Sequence, residues 1–339
     1  MSLMSFGKDL LDWYFKNRRI LPWREDPTPY HVYLSETMLQ QTQVKKVLPY
    51  YEHFISHFPS LHDLANSTEN AVLLLWQGLG YYSRARNLLK GAQALDSLPV
   101  FPSDSETLRK IPGIGEYTDK AIRAIAFHQK CVSIDGNLMR VYRRYSGKLS
   151  KDESTSKDAE SFYLKELGDL DSSAFNQALM DLGELICLPN GIPLCDQCPF
   201  AQSCKGRDRL CEEKKTSKPS KPVKPIFRYS LLLVMKTDSL FLIKRPDKGL
   251  LAGLYGFPMV EGDLPSRMEA LPLSSYRHVF SHLVWDVHPY LIKEKGLTKE
   301  LGDGFFVPLK DIGVSYPLPT AFMKAFQLLV KALNSQEEK

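Results

Sequence analysis

Between Leu108 and Arg144 the chain sets a glycine-bearing turn, a helix and an isolated carboxylate in close succession. The turn reads Ile111-Pro112-Gly113-Ile114-Gly115. A helix is predicted on its far side over Glu116–Phe127, with Ala121, Ile122, Ala124, Ile125, Ala126 and Phe127 as an apolar face. Another is predicted before it over 104–111, started by a capping box of Ser103 with Glu106 three residues on. Gly113 and Gly115 let the backbone approach a phosphate closely. The second helix aims its free N–H groups and positive dipole end at that phosphate. Such a turn often does no more than join two helices. Here it is followed by Asp135, in Val132-Ser133-Ile134-Asp135-Gly136-Asn137. On its own Asp135 also fits an Asp-Gly turn before a helix beginning near Leu138, with Asn137 as a cap.

At 339 residues the chain has room for two domains, each with a core. Residues 1–205 are dominated by helical periodicity, with helices expected over 5–17, 30–47, 49–58, 61–66, 69–77, 81–95, 138–146, 156–167 and 172–185 besides the pair at 104–127. From Lys205 to Pro225 there are eight Lys/Arg against three acids, an excess equal to the +5 of the whole chain. The stretch 206–225, rich in Lys and Pro, reads as an extended linker, either simply solvated or strapped over phosphates. Beyond it, Tyr229–Lys236 and Leu240–Arg245 form a predicted β-hairpin around Thr237-Asp238-Ser239. Strands over Phe280–Tyr290 and Phe305–Pro308 and a helix over Pro319–Asn334 complete an α+β domain at 226–334. No apolar run approaches the length of a membrane span, and Met1–Leu11 lacks a signal-peptide core, so a soluble intracellular protein is expected.

Six cysteines are present and none precedes Cys131. Four fall together, as Cys187-x7-Cys195-x2-Cys198-x5-Cys204, in a loop spanning 187–204. A disulfide scaffold would spread them through a small secreted domain. This clustering reads as a metal or iron–sulfur site in a reducing compartment, and by spacing alone zinc fits as well as iron–sulfur. Cys131 and Cys211 are left over.

Glu36 sits among apolar residues in Tyr30–Val47, one helical step from Tyr33, Leu39 and Gln40. Two environments suit it. On the open face of an amphipathic helix it is an ordinary surface acid. Desolvated, its pKa rises and it can act as a general acid near neutral pH.

Three runs decide how these features are read together. Pro22-Trp23-Arg24, Ser35-Glu36-Thr37-Met38-Leu39-Gln40-Gln41-Thr42-Gln43-Val44 and Gly78-Leu79-Gly80-Tyr81-Tyr82-Ser83-Arg84-Ala85-Arg86-Asn87-Leu88 closely resemble the MutY-type adenine DNA glycosylases. The turn at 111–115 then resembles that family's helix-hairpin-helix, and the cysteines its [4Fe–4S] loop, with seven residues between the first two cysteines where six are usual. The resemblance covers 10–205 and extends more weakly through the second domain. It implies a mostly α helix-hairpin-helix glycosylase region with an iron–sulfur loop, followed by an α+β Nudix-like domain.

The roles that follow are what the resemblance implies. Glu36 protonates the leaving adenine through N7, Asp135 offsets positive charge on the sugar, and Asn137 supports the reaction centre. Gln41 and Tyr81 are wedges that fill the gap left by a flipped nucleotide, while Gly113 and Gly115 meet the backbone phosphate. Trp23, Arg24 and Asp181 belong to the adenine pocket. Cys187, Cys195, Cys198 and Cys204 hold a [4Fe–4S] cluster, and a monovalent cation sits at the hairpin. Relatives of the endonuclease III type carry a lysine nucleophile where this chain has Tyr117, and Lys120 lies about a turn later. A monofunctional glycosylase is therefore expected, with Tyr117 near the sugar.

In the second domain Gly249-Leu250-Leu251-Ala252-Gly253-Leu254-Tyr255-Gly256-Phe257-Pro258 and His278-Val279-Phe280-Ser281-His282 also resemble this family. The Phe280, Ser281 and His282 loop would read 8-oxoguanine opposite the target adenine. Without the resemblance it is a strand-edge loop. No Arg-Glu-x-x-Glu-Glu run is present, so pyrophosphate hydrolysis is not expected. The implied partner is double-stranded DNA carrying A opposite 8-oxoguanine or G, bound by a monomer with no membrane association, in the cytoplasm at the nucleoid if the source is bacterial. The rivals are a glycosylase for thymine or uracil opposite guanine and a non-catalytic iron–sulfur DNA-binding protein. The second domain with Gln40-Gln41 argues against the first, and the pairing of Glu36 with Asp135 against the second.

Overall fold

A computed structural model describes residues 5–148, 153–207, 223–264, 269–294 and 301–337. Most of the linker at 206–225, including Cys211, lies outside the described residues. The chain falls into two compact units, Met1–Asn66 with Asn87–Pro219, and Ser67–Arg86 with Ser220–Lys339.

The helices run in order α1 (Phe6–Asn17), α2 (Pro22–Glu25), α3 (Pro29–Leu39), α4 (Val44–His57), α5 (Leu61–Ala65), α6 (Glu69–Leu75), α7 (Tyr82–Asp96), α8 (Ser105–Leu108), α9 (Glu116–Ile125), α10 (Gly136–Ser146), α11 (Glu153–Leu167) and α12 (Ser172–Asp181). A π-helical turn, Leu182–Ile186, continues α12 into the cysteine loop. In the first unit α1, α10, α11 and α12 close around Leu10, Tyr14, Leu138, Tyr163, Phe175 and Leu179. Phe6 of α1 stacks on Phe200 with centroids 4.1 Å apart, which fastens the cysteine loop to the helical core.

The helix expected over 30–47 is two helices. α3 stops at Leu39, and α4 starts at Val44 and runs through Pro49. The polar run Gln40-Gln41-Thr42-Gln43 does not continue the helix, and Gln41 takes a left-handed φ of 56°. Nor is α3 amphipathic. Tyr30 and every residue from Val32 to Met38 are buried, so the helix is enclosed on all sides. Thr28 starts it, accepting from the backbone N–H of His31, with Pro29 at the first helical position. The expected capping box at Ser103 is replaced by Asp104, whose carboxylate accepts from Thr107 N at 2.8 Å. The reason is positional, since the first helical residue is Ser105 rather than Asp104.

The second unit carries an eight-stranded sheet ordered β3-β2-β1-β7-β5, with β4 also on β1, β6 on β7 and β8 on β2. The strands are β1 (Ile226–Lys236), β2 (Ser239–Lys244), β3 (Tyr255–Gly256), β4 (Met259–Glu261), β5 (Leu271–Pro272), β6 (Tyr276–Val279), β7 (Val284–Lys293) and β8 (Gly304–Pro308). β1 and β7 are parallel and the other pairs antiparallel. Leu231 and Leu233 join one core with Phe257, Trp285, Phe322 and Leu329, while Leu232 and Val234 join another with Phe241 and Ile292. This two-sided burial explains the unbroken apolar run in β1. The closing helix, α13 (Thr320–Glu337), supplies Phe322, Ala325 and Leu329 to the first of these cores. The strand expected from Phe280 begins only at Val284, and Phe280 to Leu283 are instead the tip between β6 and β7, closed by Phe280 N–H donating to Leu283 O at 2.9 Å. The polar pair Ser281-His282 makes the turn there.

Candidate active site

Asp135 is the N-cap of α10, which begins two residues earlier than the sequence suggested. Its Oδ1 accepts from Asn137 N and Leu138 N, both at 2.8 Å, and its Oδ2 from Asn137 Nδ2 at 2.9 Å. Asn137 is thus not the cap but a second-position residue that grips the cap's free oxygen. Three N–H donors and the positive end of α10 all face this carboxylate, an arrangement that favours negative charge.

Glu36 lies on the enclosed helix α3 and is only 5 % exposed. Burial pushes its carboxyl up to about 7. A hydrogen bond from Tyr117 and the positive charge of Arg24 oppose the rise, and the charge of Asp135 adds to it. Burial and the same two carboxyls hold the Tyr117 phenol well above its ordinary range. The sequence left Glu36 between a surface and a desolvated position, and the fold selects the second.

These groups share one open pocket of about 1240 Å³ within the first unit. Trp23, Arg24, Glu36, Gln41, Gly113, Gly115, Tyr117, Asp135 and Asn137 all line it. Gly113 has a φ of 85°, and a Cβ there would come within 3.1 Å of Asn87. Gly115 differs, because a Cβ there would meet nothing within 4 Å of the chain itself. It is the N-cap of α9 and offers no side chain to the first-turn N–H groups, which leaves that helix end open to an outside acceptor.

Asp181 lies behind the pocket wall rather than in it, with no side-chain exposure. Arg24 grips it with two bonds of 2.7 and 2.9 Å, and Arg19 reaches it through Nε at 2.8 Å. Arg19 also pairs with Glu184 at 2.7 Å. The buried carboxylate therefore fixes two arginines whose other surfaces form the pocket. Trp23 is held edge-on against Tyr51 at 5.0 Å.

Sequence reasoning missed Arg19, Gln177 and Glu184, which also line the pocket. Gln177 is anchored by Tyr14 Oη donating to its Oε1 at 3.2 Å and by its own Nε2 donating to Ser173. The available signal was weak, since Gln177 is one of several polar residues, with Ser172, Ser173, Asn176 and Asp181, buried along α12. Arg140 was missed as well. It donates to Asn137 Oδ1 at 2.9 Å and to the Cys187 carbonyl at 2.9 Å, so it spans the gap between the Asp135–Asn137 pair and the cysteine loop.

In that loop, burial pushes the Cys198 thiol up to about 11, and Cys187, Cys204 and Cys195 are close enough to add to the rise. Burial raises Cys204 too. Arg144 places Nη1 3.3 Å from Cys187 Sγ. No three His, Cys, Asp or Glu among the described residues gather tightly enough to hold a single metal ion.

Tyr81 belongs to the second unit, where it is 47 % exposed with a φ of 49°, and Arg84 stacks on its ring at 5.3 Å and on Trp76 at 5.4 Å. At the β6–β7 tip Ser281 and His282 are exposed. The Phe280 ring is half-buried against His278 and Trp285, with centroids at 4.5 and 4.9 Å.

With this geometry in view, comparisons with known proteins decide the family. Residues 34–165 match the model of the HhH-GPD superfamily base excision DNA repair protein, and residues 230–328 match that of the NUDIX domain. The adenine DNA glycosylase of Buchnera aphidicola subsp. Baizongia pistaciae (strain Bp) is 34 % identical, over 86 % of this chain and 87 % of its own length. The chain belongs to the adenine DNA glycosylases. The Homo sapiens adenine DNA glycosylase is 32 % identical over 87 % of this chain and 68 % of its own. In fold, a thermostable thymine-DNA glycosylase is similar over 60 % of this chain and 95 % of that one, at a TM-score of 0.55 and 24 % identity. Endonuclease III from a non-covalent DNA complex covers 61 % and 95 %, at a TM-score of 0.52 and 20 % identity. The expected fold classes are both present, a helical helix-hairpin-helix region and a Nudix domain with its sheet. The protein is an adenine-specific DNA N-glycosylase of base excision repair, and it binds DNA. Among the described residues no helix is long and apolar enough to cross a membrane.

Proposed function

We propose that the enzyme flips adenine out of a duplex in which it is mispaired with 8-oxoguanine, or with guanine, and hydrolyses its N-glycosidic bond without cutting the strand. The single observation that carries this reading is Glu36, buried at the wall of an open pocket that Asp135 also lines, with its carboxyl pushed up to about 7. An acid at that value still holds its proton near neutrality and can deliver it to adenine N7. The bonding pair of C1′–N9 leaves with the protonated base. Asp135 offsets the positive charge that develops on the sugar, Asn137 holds that carboxylate in place, and water completes the reaction at C1′. Tyr117 stands beside the sugar, hydrogen-bonded to the acid. Trp23, Arg24 and, through its arginines, Asp181 shape the adenine pocket.

Gln41 and Tyr81 serve as wedges in the vacated stack. Both are non-glycine residues at positive φ, a conformation that costs of order 1–3 kcal/mol and is characteristic of functional positions. Gly113, Gly115 and the open end of α9 take the DNA phosphate. A monovalent cation there would be held by backbone carbonyls and would add positive charge.

The thiols of Cys187, Cys195, Cys198 and Cys204 fit a [4Fe–4S] cluster. Cys187, Cys195 and Cys204 all lie near the buried Cys198, and four thiols are the donor set of such a cluster. When bound, the cluster would hold the loop closed. Catalysis is left to the chain's own carboxyls. Phe280, Ser281 and His282 read the lesion, with the Ser281 hydroxyl and N–H available to the altered base edge. We further propose that one monomer in the cell interior acts on double-stranded DNA.

Duplexes bearing A, T or U opposite 8-oxoguanine or guanine, incubated with enzyme and then treated with alkali, test this reading. Release of A alone, with strand breaks only after alkali, is the expected result. Release of T or U, or breaks without alkali, would overturn it.

A further inference from the structure

The β6–β7 tip is pinned by a residue that arrives from the linker side. Lys224 Nζ donates to the Phe280 carbonyl at 2.7 Å. One residue on, the Pro225 carbonyl accepts from Val284 N–H at 2.9 Å, which sets Lys224 beside the start of β7. The tip is closed internally by Phe280 N–H on Leu283 O. Both backbone polar groups of Phe280 are therefore committed, and an ammonium holds one of them in a charge-assisted bond.

The geometry of the peptide unit carries this one residue further. No described peptide bond is cis. In a trans peptide the C=O and the following N–H point in opposite directions in one plane. Fixing the Phe280 oxygen toward Lys224 therefore fixes the Ser281 N–H away from it. Ser281 is exposed, and its N–H has no hydrogen-bond partner among the described residues. An outward backbone donor beside an exposed hydroxyl suits an edge that offers an acceptor next to a donor. The five-membered ring of 8-oxoguanine presents this pair, O8 and N7–H, whereas guanine has N7 as an acceptor and no N–H.

We propose that Lys224 is a positioning residue for lesion discrimination, which orients the Phe280–Ser281 peptide so that the Ser281 N–H and hydroxyl face the partner base. This rests on the reading of the tip as the lesion reader. Lys224 touches neither base in this account and acts through Phe280.

The test uses the full chain with Lys224→Met, Lys224→Gln, Lys224→Arg and, separately, Ser281→Ala. The measured quantity is the ratio of single-turnover rates on A opposite 8-oxoguanine and A opposite G, at several stated salt concentrations. Lys224→Met is expected to lower that ratio at least about fivefold, the low end of what a good polar contact to a base contributes to discrimination. Lys224→Arg and Lys224→Gln, which retain a donor, are expected to recover part of it. The Ser281 amide resonance in selectively ¹⁵N-serine-labelled protein should shift in Lys224→Met and return toward wild type in Lys224→Arg. If the methionine variant does not fold, Lys224→Gln, which keeps a donor but loses the charge, is expected to shift the same resonance in the same direction by less, and an unshifted resonance there would overturn the proposal.

An unchanged ratio in Lys224→Met, with a lowered ratio in Ser281→Ala, overturns the role of Lys224 and leaves the lesion reader standing. An equal loss on both duplexes, with the salt slope reduced by about one, marks Lys224 as a phosphate contact and also overturns the proposal. An unchanged ratio in Ser281→Ala removes the underlying reading, and this inference with it.

Discussion

The Tyr117 hydroxyl lies against the Glu36 carboxyl and holds its pKa down, so in the proposed mechanism Tyr117 tunes the acid. Burial raises the Glu36 pKa and Tyr117 partly restrains it, leaving the group at about 7. The acid works only while protonated, so adenine release should be flat at low pH and fall as pH rises through about 7. Glu36→Gln should abolish release while duplex binding persists, and near wild-type turnover in that variant would sink the assignment. The same shift predicts a stability effect. The folded-state pKa lies above the unfolded value of 4.5, so burial of the neutral acid is free of penalty below about 4.5 and becomes progressively costly as pH rises through 7. The Tm advantage of Glu36→Gln over wild type should therefore grow from pH 5 to pH 8, and thermal melts across that range would show it.

Tyr117→Phe removes a bond that lowers the Glu36 pKa. The descending limb of its pH–rate profile should move to higher pH. Strand cleavage should stay absent, because Lys120, the lysine nearest to position 117 in sequence, is held by Glu116 at 2.9 Å and Glu160 at 2.7 Å. Those carboxylates outweigh its burial and raise its pKa, so at neutral pH it is a fixed cation rather than a free amine. Borohydride should trap little covalent complex with wild type or with Lys120→Ala. Efficient trapping that disappears in Lys120→Ala would reverse this assignment.

Asp135→Asn keeps the size of the cap but removes the charge opposite the developing cation. The expected cost is several kcal/mol of barrier, on the order of 10³-fold in rate or more. Asn137→Ala leaves the charge but frees the Asp135 Oδ2 contact made at 2.9 Å, and should cost less than Asp135→Asn. Single-turnover rates at saturating enzyme separate the two. A loss below about tenfold in Asp135→Asn would leave it merely a helix cap.

How legible all this was in the sequence depended on whether local pattern or tertiary enclosure set the outcome. The hairpin, the apolar face of α9 and the run that became β1 were visible because each follows a short-range rule. The state of Glu36 was not, because its burial comes from the helices packed around α3 and not from its neighbours in sequence. The break at Gln41 escaped periodicity, since a left-handed glutamine has no propensity signature. β6 was too short to register, so its tip was absorbed into the next strand. The tie from Arg140 to both Asn137 and Cys187 links positions 47 residues apart and has no local trace.

The four thiols of the loop, read as the ligands of a cluster, predict a coloured protein. Purified protein should be brown, with about four irons per chain. Cys198→Ser should bleach it, and because Phe6 stacks on Phe200 two residues away, the thermal stability of the first unit should fall with the colour. Stoichiometric zinc in colourless protein would instead favour a single-ion site.

The two aromatic contacts of Phe280 allow packing and lesion reading to be separated. Its ring leans on His278 and on Trp285, the latter a member of the core cluster that also holds Phe322. Phe280→Ala should therefore lower the Tm of the second unit as well as the preference for A opposite 8-oxoguanine. His282 is fully at the surface, and its ring nitrogen lies 3.3 Å from Ser281 Oγ. His282→Ala should leave the Tm unchanged, since an exposed side chain without core contacts contributes within about ±0.5 kcal/mol. If His282 orients the Ser281 hydroxyl toward the lesion edge, the same variant should still lower the ratio of single-turnover rates on the two duplexes. The phenylalanine variant would then lose stability and discrimination together, and the histidine variant discrimination alone. A histidine variant unchanged in both would restrict lesion reading to Phe280 and Ser281.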